Sequence, residues 1–379
     1  MNNKKLKIVM LLSRIDQSGL TKHTIDLAKG LTDLGHQILL ITGGISEDEK
    51  SERVFAFYNM FETMGVEVKT FKKPSGSIIK KGFKGVLDLI RMLICIKKYN
   101  PNVIHSQSPY MTFIPWLMGK KFTTTIHQMG LKRNIFYKNP THIIAISEES
   151  KQDSIDNYGI REDEVTIVHH GIPDEYAQTI SEGEKLNLKN EHNIPHDKLI
   201  LGSASILSKR KGIDLIVKAL EALSCKAKSK IYFIFLGDDV DSERTKKLHK
   251  MIETANIESI TTHIPFQNPK PFYDIMDVFV LPSRQESFPL VALEAMMSGC
   301  CPIRSNTEGS YEQINHGTNG LLFQNKDILG LRDAFEKVIL DDDLRQTFQK
   351  NAKKDALERF TIPRMTKNTL EIYEKIRIH

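Results

Sequence analysis

Two glutamates, Glu286 and Glu294, stand with seven residues between them in the stretch VFVLPSRQESFPLVALEAMMSG at positions 278–299. An apolar run of strand length ends at Leu281, a short polar loop follows, and a helix is expected to start at Pro289, because proline fits the first helical position. The unpaired N–H groups of such a start, here around Leu290 and Val291, form a site for a phosphate. A carboxylate beside that site can accept hydrogen bonds from two vicinal hydroxyls, as acidic residues do for ribose in dinucleotide folds. One short segment could therefore hold a diphosphate, a ribose and a second sugar. The same spacing has a plainer account, with Glu294 favourably placed in the helix dipole and Glu286 solvated. Spacing alone leaves both open.

The elements that must position these residues follow from hydrophobic periodicity. Short apolar runs alternate with longer helical patterns, which is the signature of parallel α/β layers. Strands are expected at 7–12, 37–41, 66–71, 103–105, 123–126, 143–146 and 165–168, with a turn at Gln17-Ser18-Gly19 and a helix over 21–34 ended by Gly35. A second series runs through strands at 199–204, 231–236 and 262–264, with a helix from Ile213, and strands at 278–281 and 301–303 closing that sheet. The polar stretch 175–198 shows no clear strand, and the linker is placed near Pro173. The tail, 363–378, reads as a helix with Pro363 at its start. The expected fold class is α/β, with two doubly wound Rossmann-like domains. Residues 1–172 form the first domain, 173–197 the linker and junction, and 198–360 the second. Residues 361–379 are a helix returning to the first.

Composition agrees with this plan. A chain of 379 residues with 40% hydrophobic and 26% charged residues suits two soluble globular domains. The net charge of +6 does not argue for nucleic acid, and none is expected as a partner. Cys95, Cys225, Cys300 and Cys301 form no C-x-x-C pair, which points to a reducing, cytoplasmic setting. The apolar run 8–12 is too short for a secretory core, and the run 86–96, broken by Asp88 and Arg91, is too short to span a bilayer. Asp239 and Asp241 have the spacing of a metal-binding pair. They follow a strand without other placeable oxygen ligands, so a solvated turn is expected and no metal is assigned.

The string PSRQESFPLVALEAMMSG at 282–299 resembles the E-x7-E segment of the family-4 retaining glycosyltransferases, which have the GT-B fold. SNTEGSYEQINHGTNGLLF at 305–323 is similar to that family's G-G-x-x-E-x-I…G-x-N-G-x-L stretch. SGLTKHTIDLAKGLTDLGH at 18–36 resembles its G-G-x-x-x-H-V helix opening. Val103-Ile104-His105 matches its D-V-I-H strand end, and Thr125-Ile126-His127 its T-x-H. IIAISEESK and HHGIPDE, at 143–151 and 169–175, resemble its last first-domain strand and interdomain turn. The matches run from about Lys7 to Phe323, in the family's order.

The resemblance implies an active site in the cleft between the domains, with roles for particular residues. Glu294 would bind the nucleotide ribose, and Glu286 would sit beside the donor sugar's hydroxyls. The amides of the loop through Ser287, Phe288, Leu290 and Val291 would face the sugar and phosphates. Gly19 would let the backbone approach the diphosphate, and His127 would lie close to the donor sugar. Thr21 and His105 are the acceptor-side candidates. Lys211 matches the lysine that grips the diphosphate in G-R-L-x-x-x-K-G, but Ile206 occupies the place of the arginine there, so Arg210 or Lys209 would have to supply that charge. Gln107 stands where many members have a second histidine, Ser18 replaces a glycine, and His170 and Pro173 replace the usual Asn and Asp.

The implied reaction moves a hexosyl-type group from a nucleoside diphosphate sugar, UDP favoured, to a hydroxyl of a glycan or lipid-linked acceptor, with retention and no metal or other cofactor. An epimerase of the same fold and a non-catalytic sugar-nucleotide-binding protein are the alternatives. No acidic residue occurs from Leu89 through Ser147, while Arg91, Lys97, Lys98, Lys120, Lys121, Lys132, Arg133 and Lys138 are basic. Lys80, Lys81 and Lys84 lie just upstream beside Ile78, Ile79 and Phe83. These residues are either solvated faces or a cationic surface for anionic lipid headgroups or a lipid-linked diphosphate. The second account would place the protein at the inner face of the cell membrane.

Overall fold

The computed structural model describes residues 5–45, 52–71, 78–132, 134–238 and 241–378, with backbone alone at 53 and 78–84. The chain divides into two compact units, Met1–Gly171 with Ile362–His379, and Ile172–Thr361. Arg133 and Asp239 lie outside the described residues, as do the side chains of Ile78, Ile79, Lys80, Lys81, Phe83 and Lys84.

In the first unit the described strands are β1 (Lys7–Leu12), β2 (Gln37–Thr42), β3 (Glu67–Thr70), β4 (Val103–Ser106), β5 (Thr123–Ile126), β6 (His142–Ala145) and β7 (Val165–Ile167). They pair in parallel in the order β3-β2-β1-β4-β5-β6-β7. β1 and β2 are apolar nearly throughout because both sheet faces are covered. On one face Ile8, Met10 and Leu12 pack with Ile25, Leu27 and Leu31 of the helix Gly19–Asp33, and with Met365, Ile372 and Tyr373 of the last helix, Ile362–Ile376. On the other face Val9, Leu11 and Ile104 meet Ile96 of the helix Ile78–Tyr99. The two helices of the first face touch closely at Gly30, where a Cβ would fall 2.0 Å from Thr366 Oγ1.

The second unit carries β8 (Leu199–Ala204), β9 (Ile231–Leu236), β10 (Thr261–Ile264), β11 (Val278–Leu281), β12 (Cys301–Ser305) and β13 (Leu321–Phe323). The order is β10-β9-β8-β11-β12-β13, again all parallel. The sheet ends on β13 rather than on 301–303 as expected. A three-residue strand is too short to show an alternating or continuous apolar signal. The polar stretch read as a linker holds a helix, Glu182–Glu191, whose start is fixed by a reciprocal capping box between Ser181 and Glu184.

Both sheets reverse their strand order at one point, between β1 and β4 in the first unit and between β8 and β11 in the second. In open parallel sheets the loops leaving the strands at such a point form a crevice for ligands.

Candidate active site

In the second unit the loop after β8 and the loop after β11 are joined by several contacts. Ser208 Oγ accepts from Lys211 N–H and closes the short turn Lys209–Lys211. Gly212 follows at φ 75°, and a Cβ there would lie 2.0 Å from the Pro282 carbonyl oxygen, so only glycine allows this approach. Arg284 locks the pair of loops. Its guanidinium donates twice to Asp214, at 2.7 Å each, and also to the Lys209 carbonyl, while its backbone N–H donates to the Arg210 carbonyl. A bidentate pair of this kind fixes geometry as well as charge.

That frame sets Lys211 against Glu286. The ammonium lies 2.5 Å from Glu286 Oε1, and both side chains are largely buried. The guanidinium of Arg210 donates to the Gln285 carbonyl at 3.3 Å, from an exposed position beside the same loop. Ile206 is 51% exposed, so the place of the missing arginine is an apolar surface residue.

The helix after this loop runs Leu290–Ser298, with Pro289 as its extended N-cap rather than its first helical residue, and no side chain caps it. A proline N-cap has no hydroxyl or carboxylate to offer the amides of the first turn, which favours an anion there. Gly309, at φ 67°, presses on this loop, since a Cβ would lie 2.4 Å from the Ser287 carbonyl oxygen. Phe288 and Leu290 are buried, and Ser287 and Val291 half-buried. Glu294 is 6% exposed and accepts a hydrogen bond from Tyr273 Oη at 3.2 Å. Burial, then the charge of Glu294, raises the Tyr273 phenol well above its ordinary pKa, so it stays a donor.

In the first unit Asp16 organises the loop after β1. It accepts from Ser18 N–H at 3.0 Å, from Ser18 Oγ, from Thr21 Oγ1 at 3.0 Å and from Arg14 Nε at 2.9 Å. Gly19 is exposed as the first residue of the helix that Ser18 caps. This helix begins two residues earlier than its sequence pattern suggests, because the Ser18 cap lies outside the apolar periodicity.

Thr21 and His105, the acceptor-side candidates, both lie inside the first unit. Both are completely buried. Thr21 is bonded to Asp16, and the ring of His105 lies 2.8 Å from Tyr373 Oη on one side and 2.8 Å from Thr125 Oγ1 on the other. Burial brings the His105 pKa down to about 3. These contacts hold the loops in place.

His127 is half-buried at the end of β5, its Nε2 3.0 Å from Gln107 Oε1. His23 and His170 stand beside it, with ring centroids 4.8 and 5.6 Å away. Burial, and then repulsion among the rings, holds the pKa of His23, His127 and His170 well below the ordinary imidazole value. His127 is therefore a neutral ring at physiological pH, suited to hydrogen-bonding a hydroxyl rather than to donating a proton as an acid.

Sequence reasoning gave no role to Tyr273, Arg284, Asp214 or Asp16, whose partners are distant in the chain or lie in a loop without periodicity. His23 and His170 fall within the resembling stretches, which imply no role for either. In the turn after β9, where the sequence has the spacing of a metal-binding pair and a solvated turn is expected, Asp238 accepts from Leu207 N–H at 2.6 Å and pairs with Arg244, and Asp241 is exposed.

Comparison with known proteins bears on both halves. Residues 17–176 match the family model described as Glycosyltransferase Family 4, and residues 184–355 match that of Glycosyl transferases group 1. An uncharacterized glycosyltransferase, MJ1607, of Methanocaldococcus jannaschii is 27% identical over 236 residues, which is 61% of this chain and 59% of that relative. The capsular polysaccharide biosynthesis glycosyltransferase CapM of Staphylococcus aureus is 23% identical over 303 residues, covering 74% of this chain and 78% of CapM. Among solved structures, Anabaena Alr3699/HepE in complex with UDP and glucose superposes with a TM-score of 0.80 at 19% identity, covering 98% of this chain and 100% of that one. With the two halves matched in order and two parallel-sheet α/β units in place, the chain belongs to the family-4 glycosyltransferases of the GT-B fold.

Proposed function

We propose that the protein transfers a sugar from a nucleoside diphosphate sugar to a hydroxyl of a glycan or lipid-linked acceptor, with retention at the anomeric carbon and without a metal. The observation that carries this reading is the Lys211–Glu286 pair, set by Gly212 and Arg284 at the second unit's switch point and next to an uncapped helix start. A cation and a set of amides there suit a diphosphate, and a carboxylate beside them suits sugar hydroxyls. Buried Glu294, oriented by Tyr273, takes the ribose. The family resemblance assigns His127 to the donor sugar. UDP is favoured because HepE binds it, and CapM's part in capsular polysaccharide biosynthesis supports a glycan acceptor.

In the proposed step the bond from the anomeric carbon to the diphosphate oxygen breaks with its electron pair going to the diphosphate. Lys211 and the amides near Leu290 stabilise the charge that develops. The acceptor hydroxyl attacks from the same face, and its proton passes to the departing diphosphate. Glu286 orients the sugar and forms no covalent bond.

Hydrolysis and thermal-shift screens against UDP-, GDP- and ADP-sugars identify the donor. An acceptor-dependent product with the donor's anomeric configuration, formed equally well in EDTA, is the expected result. Conversion of the donor sugar without any acceptor would instead mark an epimerase. Full, Mn²⁺-reversible loss in EDTA would overturn the metal-free route.

Among the described residues no helix is long and apolar enough to cross a membrane. We also propose attachment to an anionic membrane surface through the first unit. On the helix Ile78–Tyr99, Val86, Ile90 and Ile94 are exposed at four-residue spacing and so form one stripe, with exposed Arg91, Lys97 and Lys98 beside it.

A further inference from the structure

Three histidines from distant parts of the first unit converge. His23 comes from the helix Gly19–Asp33, His127 from the end of β5, and His170 from the turn after β7. Their nearest ring nitrogens all lie within 4.8 Å of one another. The closest rings, His23 and His170, have centroids 4.3 Å apart. His23 is 4% exposed, and neither of its ring nitrogens has a hydrogen-bond partner. A buried imidazole with two unused polar atoms, facing two more imidazoles, is costly unless something binds it. Repulsion among the rings and their burial keep all three neutral, which is the form that ligates a metal.

The geometry points to a site for a divalent transition ion of the zinc class, held by His23, His127 and His170 with one coordination position open. Tetrahedral coordination at about 2.0–2.1 Å per nitrogen places ligand atoms roughly 3.3 Å apart. The rings must close by no more than about 1.5 Å, which side-chain rotation supplies. Gln107 completes the arrangement. By accepting from His127 Nε2–H it leaves the lone pair on His127 Nδ1, as an outer partner of a metal-bound histidine does. Three imidazoles suit zinc, copper or nickel and do not suit magnesium or calcium. Half-buried His127 gives the ion its way in.

The chain's departure from the resembled pattern matters here. Where that pattern has Asn, this sequence has His170. A bound ion would occupy His127, so zinc should inhibit transfer. That consequence rests on the role proposed for His127; binding of the ion does not.

The test strips the whole chain with chelator and titrates it with Zn²⁺, using Co²⁺ as a coloured probe. One equivalent should bind per chain, with the visible absorption of tetrahedral Co²⁺. His170→Asn and His23→Asn, each shown folded by circular dichroism, should weaken binding by at least about 10-fold. His249→Asn, at a pair of rings in the other unit, should leave it unchanged. No stoichiometric binding by the unmodified chain, or binding by both His170→Asn and His170→Gln as tight as that of the unmodified chain, would overturn the site. Turnover is read separately. Zn²⁺ should lower it and EDTA restore it, and the residual activity of His170→Asn should not respond to Zn²⁺. Tight binding without inhibition would keep the site and remove the role given to His127.

Discussion

At the scale of single residues, Glu286 and Glu294 differ in what surrounds them, and the difference predicts separate phenotypes. Glu294 is buried and fixed by Tyr273. In the proposed role, Glu294→Gln replaces a charge-assisted acceptor for the ribose with a neutral one, which should cost about 1.5–3 kcal/mol of donor and nucleotide binding. Glu286 is tied to Lys211 instead. Glu286→Gln should lower turnover more than affinity for the free nucleoside diphosphate, since it frees Lys211 for the phosphates while losing the grip on the sugar. Calorimetry with the nucleotide alone and steady-state kinetics with the donor separate the two. Equal indifference of nucleotide affinity to both changes would refute the division. A second prediction concerns the charge missing at Ile206. Arg210 is exposed and held loosely, by one bond to the Gln285 carbonyl, so it is free to turn toward a diphosphate beside Lys211. Arg210→Ala should raise the donor KM, and Ile206→Arg should partly restore it. Unchanged donor kinetics in Arg210→Ala would leave it a surface residue.

At the scale of elements, the site depends on two loops pressed together, and Gly212 is the contact that permits it. Gly212→Ala places a Cβ 2.0 Å from the Pro282 carbonyl oxygen in a backbone at φ 75°. The left-handed conformation alone costs a non-glycine residue about 1–2 kcal/mol, and the clash adds to it. For a unit of this size each kcal/mol lowers Tm by roughly 2–4 °C. The loops should also part, so donor turnover should fall more than the thermal shift implies. Retained activity with an unchanged Tm would show that the loops are not coupled there. The strands that carry these loops were legible in the sequence because each is a nearly continuous apolar run between turn residues. Glu286 and Glu294 were legible because their spacing spans one loop and one helical turn. β13 was not, being only three residues long. Nor was the Arg284–Asp214 clamp, whose partners are 70 positions apart, and no local pattern encodes a pairing at that range. The partner of His105 was not legible for a related reason. A polar residue at a strand end can face a ligand or the protein interior, and only the return of Tyr373 from the far end of the chain decides which.

At the scale of the whole molecule, the distribution of charge in the first unit bears on where the protein works. Of the basic residues between Leu89 and Ser147, Arg91 pairs with Asp88, and Lys138 lies over the Trp116 ring at 4.4 Å. Lys97, Lys98, Lys120, Lys121 and Lys132 are exposed. Trp116, Leu117, Ile135 and Phe136 are exposed as well, so apolar and cationic groups share this unit's surface. That combination suits a bilayer interface, where aromatic and aliphatic groups enter the headgroup region and lysines face anionic lipid. Each basic residue near such a surface contributes about 1 kcal/mol, so several together give reversible attachment. Vesicle co-sedimentation should show binding that rises with anionic lipid content and falls with salt, because the attraction is screened beyond a Debye length. Lys80, Lys81 and Lys84 changed together to Glu should cut the salt-dependent part. Val86, Ile90 and Ile94 changed to Ser should weaken binding at every salt concentration, since apolar insertion is not screened. Neither set should alter nucleotide affinity, which the proposed function assigns to the second unit. If the protein stays in the supernatant with anionic vesicles at low salt, and transfers efficiently to a small soluble acceptor, these side chains are solvated faces only and the acceptor need not be held at a membrane.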